Sequence, residues 1–104
     1  MTTDNLNILV FQEEGAWVAH CVEVDICTQA PDLESLRRRI DLTIRLELEE
    51  SIRRNGAPFA GIGPAPASIV ERWEKAQKNF TASGSSKTSK GEPAEVDYTM
   101  ALCA

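Results

Sequence analysis

The stretch PDLESLRRRIDLTIRLELEESIRRNG, Pro31 to Gly56, decides how the rest of the chain must fold. Asp32 is a natural N-cap, because its carboxylate can accept from the free backbone N–H groups of a first helical turn. Leu33, Leu36, Ile40, Ile44, Leu48 and Ile52 follow at helical spacing, and Leu42 and Leu46 are read as widening that stripe. Asn55-Gly56 supplies a left-handed stop, with Pro58 just beyond, where a helix could not continue. At 1.5 Å per residue the helix is roughly 35 Å long. Glu34/Arg38, Asp41/Arg45, Glu49/Arg53 and Glu50/Arg54 stand at i, i+4 with the acid first, the favourable order on a solvated face. Everything else in the chain must cover the apolar stripe.

The 104 residues make one domain. The formal net charge of -5 opposes non-specific nucleic-acid binding through a global positive field and suits a basic partner protein. No apolar run approaches the ~20 residues that span a bilayer, and MTTDNLN lacks the charged-then-apolar layout of a signal peptide. A cytoplasmic protein is therefore expected. Cys21, Cys27 and Cys103 are an odd number of thiols without CxxC or HxxxH spacing, which argues for free cysteines rather than a disulfide framework or a zinc site. No metal or other cofactor is expected.

Before the long helix, Leu6 to Gln12 reads as a strand with apolar residues on both faces. Glu13-Glu14-Gly15 is a turn, Ala16 to Val22 a second strand, and Asp25 to Ala30 a third after a Glu23-Val24 corner. Short links make this an antiparallel meander. After Gly56, the segment APFAGIGPAPA is ordered only if Phe59 and Ile62 are tucked in. Ser68 and Glu71 suggest a capping box for a second amphipathic helix carrying Ile69, Val70, Trp73, Ala76 and Phe80. Residues 81–93 have the composition of a flexible linker. In the tail, residues 95–103, Val96, Tyr98, Met100 and Leu102 alternate with Asp97, Thr99, Ala101 and Cys103, the period of a half-buried strand. It joins either its own meander or that of a second copy. The expected class is α+β: a three-stranded antiparallel meander, a long helix across it, a second short helix and a C-terminal fourth strand, in the order β-β-β-α-α-β.

The order of elements and their wording resemble the HicB-like family, antitoxin halves of HicA–HicB toxin–antitoxin pairs and their orphan relatives. The resemblance rests on Gly15-Ala16-Trp17-Val18-Ala19, on Cys21-Val22-Glu23-Val24-Asp25-Ile26 leading into Thr28-Gln29-Ala30, on Leu33-Glu34-Ser35-Leu36, and on Pro64-Ala65-Pro66 followed by Trp73. Family members commonly carry glycine where Ala30 stands, and a Thr/Ser cap where Asp32 stands. Many append a DNA-binding helical segment; after Phe80 this chain shows linker composition and one strand, so operator binding is not carried over. The resemblance implies a partial RNase-H-like fold, oligomerisation through the sheet and, in paired members, occlusion of a small basic ribonuclease toxin.

Three chemical readings compete with a binding role. Glu23, Asp25 and Asp97 could be imagined as a magnesium-binding carboxylate cluster, but acids at strand ends are usually solvated. His20 with Cys21 cannot form a nucleophile–base pair, because neighbouring strand residues diverge. Trp17, Trp73 and Phe80 could stack bases, yet no Lys/Arg interleaving accompanies them. Arg37-Arg38-Arg39 spreads around the helix and reads as a solvated face. The expectation is a non-enzymatic, protein-binding homo-oligomer that contacts itself or a HicA-like toxin through Phe11, Trp17, Trp73, Phe80, Tyr98 and Met100. Alternatives are an orphan structural or regulatory oligomer with no toxin and a nucleic-acid-binding protein.

Overall fold

The computed structural model of the protein describes residues 2–75, 78–87 and 95–103. Strand β1 (Thr2–Glu13) turns through Glu14 and Gly15 into β2 (Ala16–Cys21). Both turn residues have positive φ, 51° and 80°, the signature of the type I′ geometry that matches the twist of paired strands. Glycine takes that conformation without steric cost. Strand β3 (Cys27–Ala30) completes the expected antiparallel meander.

Helix α1 (Leu33–Asn55) is bounded as its sequence requires. Asp32 Oδ1 accepts from the backbone N–H of Ser35 at 2.7 Å, and Gly56 (φ 76°) closes the C-terminus, its N–H donating to Ile52 O at 2.8 Å. One side of α1 buries Leu36, Ile40, Ile44 and Leu48 against Leu6, Ile8, Val10, Ala19, Cys21, Tyr98 and Met100. That contact is the main core.

Leu42 and Leu46 do not widen the buried stripe. They are 44% and 54% exposed, because at 100° per residue both point away from the middle of the Leu36–Leu48 line, Ile40 and Ile44. One expected ion pair is present, and a further one joins it. Arg54 Nε bonds Glu50 at 2.6 Å in the expected i, i+4 arrangement, and Arg53 joins Glu50, also at 2.6 Å, at i, i+3. Asp41 accepts from the Tyr98 hydroxyl at 3.1 Å.

The Pro/Gly-rich connection is tied down. Phe59 is buried and Ile62 packs on the main core. Asp25 N–H donates to Gly63 O (2.7 Å) and Ala65 N–H to Val22 O (3.1 Å), lacing the loop to the β2–β3 corner. Phe59 holds φ at 57°, a left-handed conformation that costs a residue with a Cβ about 1–2 kcal/mol. The buried Ser51 hydroxyl holds it there, accepting from Phe59 N–H at 2.7 Å while donating to Leu48 O at 2.9 Å. Ser51→Ala would strand a buried N–H, and a loss of about 1–3 kcal/mol in urea unfolding is expected. A loss near zero would show that the hydroxyl does not brace the turn.

Helix α2 (Ala67–Lys75) starts earlier than the Ser68/Glu71 capping box predicts. Pro66 O accepts from the N–H groups of Ile69 and Val70, so Ser68 lies inside the first turn. Ala65, buried and hydrogen-bonded to Val22 O, delivers the chain to the helix at that point. α2 covers the sheet face opposite α1, where Ile69 and Trp73 pack on Leu9, Phe11 and Val18. Both faces of β1 are thus covered within one chain.

Beyond α2 the expectation of a second short helix carrying Phe80, followed by a linker, gives way to a strand. Phe80 and residues 81–87 belong to β4 (Lys78–Lys87), an antiparallel neighbour of β5 (Glu95–Cys103); residues 88–93 lie outside the described residues. Linker composition misleads here because a strand on the rim of a sheet is held by its backbone ladder and tolerates polar side chains. The sheet order is β3-β2-β1-β5-β4. The C-terminal strand pairs within its own chain, running parallel to β1 with Ile8 opposite Met100 and Leu6 opposite Tyr98. The protein is α+β, and its sheet is mixed rather than antiparallel throughout.

Candidate functional site

A polar cluster sits at the far end of the α2-side face. The pairing of β2 with β3 sets His20 opposite Cys27, and the β2–β3 corner brings Asp25 back so that the His20 Nε2–H donates to Asp25 Oδ1 at 2.8 Å. Glu23 turns the other way and accepts from Asn7, both from its backbone N–H (2.7 Å) and from its side-chain amide (2.9 Å). Cys21 lies on the opposite sheet face, in the α1 core. The sequence pattern missed Cys27 as the cross-strand neighbour of His20 and Asp25 as its hydrogen-bond partner. A histidine near the end of a strand, followed five residues later by an acid across a corner, was the available signal.

The cluster is poorly suited to nucleophilic work. Partial burial raises the Cys27 thiol pKa, and the Asp25 and Glu13 carboxylates raise it further, the reverse of what an activated thiolate needs. The three carboxylates of the magnesium reading do not converge: Glu23 is spent on Asn7, Asp25 on His20, and Asp97 is exposed on β5. Among the described residues, no group of three or more His, Cys, Asp or Glu side chains is placed to hold a metal ion.

The thiols should differ sharply in reactivity. Cys27 is exposed, whereas Cys21 is buried with its pKa pushed up to about 11, first by desolvation. In native protein a maleimide should label Cys27 first and reach Cys21 only on unfolding, as read by peptide mass spectrometry. Equal labelling rates would contradict the packing of β2 on α1.

A second feature is an apolar pocket of about 240 Å³ between the N-terminal half of α1 and the sheet. Among the described residues Val10, Leu33, Leu36, Ile40 and Met100 line it, with Glu34 and Arg37 as the charged groups. Leu33, 40% exposed, belongs to its rim. Such a lining suits an apolar side chain presented by another molecule and offers little with which to polarise or attack a bond.

The six expected contact residues fall in different places. Met100 lines the pocket and is buried. Tyr98 is buried beside α1 with its hydroxyl on Asp41. Trp17 is partly buried on the main core. Phe11 is buried under α2, with the Arg72 guanidinium 4.0 Å from its ring centroid, and Trp73 packs on the same cluster. Phe80 lies on β4, opposite Leu102 of β5. They do not form one patch. Phe11 and Trp73 meet at α2, and Tyr98 and Met100 belong to the α1 side.

Desolvation, followed by the charge and hydrogen bond of Asp41, raises the Tyr98 pKa to about 12. Tyr98 and Cys21 therefore bind their protons more tightly folded than unfolded. Their contribution is complete below the ordinary values of 9.0 and 10.0 and is lost as pH rises through about 11 and 12. Stability should decline from pH 9 upward, and Tyr98→Phe should flatten the part above pH 10. An unchanged alkaline profile in that variant would remove Tyr98 as a cause.

Comparison with family models, with curated proteins and with solved structures gave no match to the chain.

Proposed function

We propose that this chain is a HicB-like, non-enzymatic protein-binding module with a partial RNase-H-like fold, and that it occludes a small basic ribonuclease toxin. The observation that carries the binding role is the open apolar pocket of Val10, Leu33, Leu36, Ile40 and Met100, whose lining accommodates a side chain of a partner. An antiparallel meander crossed by one long helix, with a strand returning to the sheet, is the arrangement the family resemblance implies. The net charge of -5 complements a basic partner.

The test is co-expression with the products of the neighbouring genes. A small basic protein should co-purify with the chain and lose its ribonuclease activity in the complex. Leu33→Asp, at the 40%-exposed rim of the pocket and with circular dichroism confirming the fold, should weaken that complex by about tenfold or more. Co-purification unaffected by Leu33→Asp would overturn the pocket as the contact. The absence of any complex would overturn the toxin reading. A second reading, a structural or regulatory homo-oligomer without a toxin, is favoured by the exposed leucine pair of α1.

A further inference from the structure

The outer face of α1 carries a pattern that the core does not use. Leu42 and Leu46, 44% and 54% exposed, lie side by side one turn apart on the face opposite Ile40 and Ile44. Extended in both directions, their line takes in Ser35, Arg39, Leu42, Leu46, Glu49 and Arg53, with alternating spacings of four and three. The spacing is that of a helix-pairing seam, with leucine at the two central positions and polar residues at the other four. Beside the two leucines, Arg38 and Arg39 stand on this side toward its N-terminal end and Glu49 and Glu50 toward its C-terminal end, with Arg45 and Arg53 also on it.

Those two arginines and two glutamates are placed to pair when a second copy runs antiparallel. With a two-fold axis at the level of Ile44, Leu42 meets Leu46 of the partner subunit, and the symmetric contact completes a four-leucine centre. In the same register Arg39 faces Glu49 of the partner subunit, and Arg38 faces Glu50 of the partner subunit. Ser35, the next position out, meets Arg53 of the partner subunit. A parallel pairing would set arginine on arginine and glutamate on glutamate. Shifting the antiparallel register by one or two turns in either direction moves a leucine opposite a charged residue. Within its own chain Glu50 bonds Arg53 and Arg54, Arg39 donates to Gln29 O, and Glu49 also has an interaction. Each carboxylate and guanidinium still has several acceptor or donor positions to share.

We propose that the outer face of α1 is a homodimer interface, formed by antiparallel pairing of two copies about Ile44. This deepens the self-association reading by naming its surface, and it is independent of the toxin. A helix pair of this kind lies at the small end of specific interfaces, below ~1,200 Å², so the dimer is concentration-dependent and weak.

Sedimentation velocity of the full chain from about 1 to 300 µM tests it, with circular dichroism confirming that each variant is folded. Wild type should shift from monomer to dimer, and L42E/L46E should remain monomeric. R39E places glutamate opposite glutamate twice, and E49R places arginine opposite arginine twice, so each alone should weaken the dimer by about tenfold. Mixed in equal amounts, the R39E and E49R chains carry opposite charges at every such contact. They should form a heterodimer at least as tight as the wild-type dimer. The double variant R39E/E49R should recover self-association. A wild-type dimer untouched by L42E/L46E, or an R39E and E49R mixture no tighter than either alone, overturns the α1 surface while leaving self-association through another face. A monomer at 300 µM overturns both.

Discussion

A chain ending at Pro93 should show no cooperative unfolding transition, although it keeps β1, β2, β3 and both helices. Strand β5 lies between β1 and β4, so its removal breaks two ladders and leaves β4 without a neighbour. It also uncovers the α1-side core, because Tyr98 and Met100 are buried against it and Ala101 is buried on the other face. Burial of one large apolar side chain contributes roughly 1.5–3 kcal/mol. Losing two such residues with a whole ladder approaches the ~5–15 kcal/mol that holds a domain of this size together. The measurement is urea unfolding followed by circular dichroism and tryptophan fluorescence. A truncated chain with an unchanged midpoint would mean that the parallel β1–β5 pairing contributes nothing.

The second large effect is a contrast between neighbouring positions on α1. Leu48 is fully buried, enclosed by the sheet and the Phe59 loop, and Leu48→Ala should cost about 2–5 kcal/mol, the range for a buried leucine whose cavity cannot collapse. Leu46, two residues earlier and 54% exposed, should tolerate the same change within about 0.5 kcal/mol in dilute protein. Denaturation midpoints of the two variants are the readout. Equal losses would place Leu46 in the core and would contradict the orientation of α1.

That contrast shows where one-dimensional reading stops. A helix with leucine or isoleucine at 36, 40, 44 and 48 and again at 42 and 46 offers two apolar lines. Hydrophobicity alone does not say which of them meets the sheet. The position of the sheet decides it: the line beginning at Leu36 faces Ile8, Val10 and Met100, and the other is left to solvent or to a second chain.

The local features were legible because their causes are local. Asp32 caps α1 because a carboxylate one residue before a helix reaches the free N–H groups wherever the helix is placed. Gly56 ends it because its left-handed φ needs no neighbour to justify it. The Glu14-Gly15 turn and the alternation of β5 are of the same kind. The site was less legible. The distance from His20 to Asp25 depends on how the β2–β3 corner folds back, and the pocket arises where β1, β5 and the first turns of α1 meet from distant parts of the chain.

Sequence alone therefore determined the α1 boundaries, the meander, the presence of a second helix and the strand character of the tail, because caps, turns and side-chain period act within a few residues. Tertiary structure decided that β5 runs parallel to β1 in its own chain and that a serine-rich segment pairs as β4. It also decided that α2 covers the second face and that Leu42 and Leu46 stay outside. Backbone ladders and burial link residues tens of positions apart, and their energy depends on what each segment meets rather than on what it is made of.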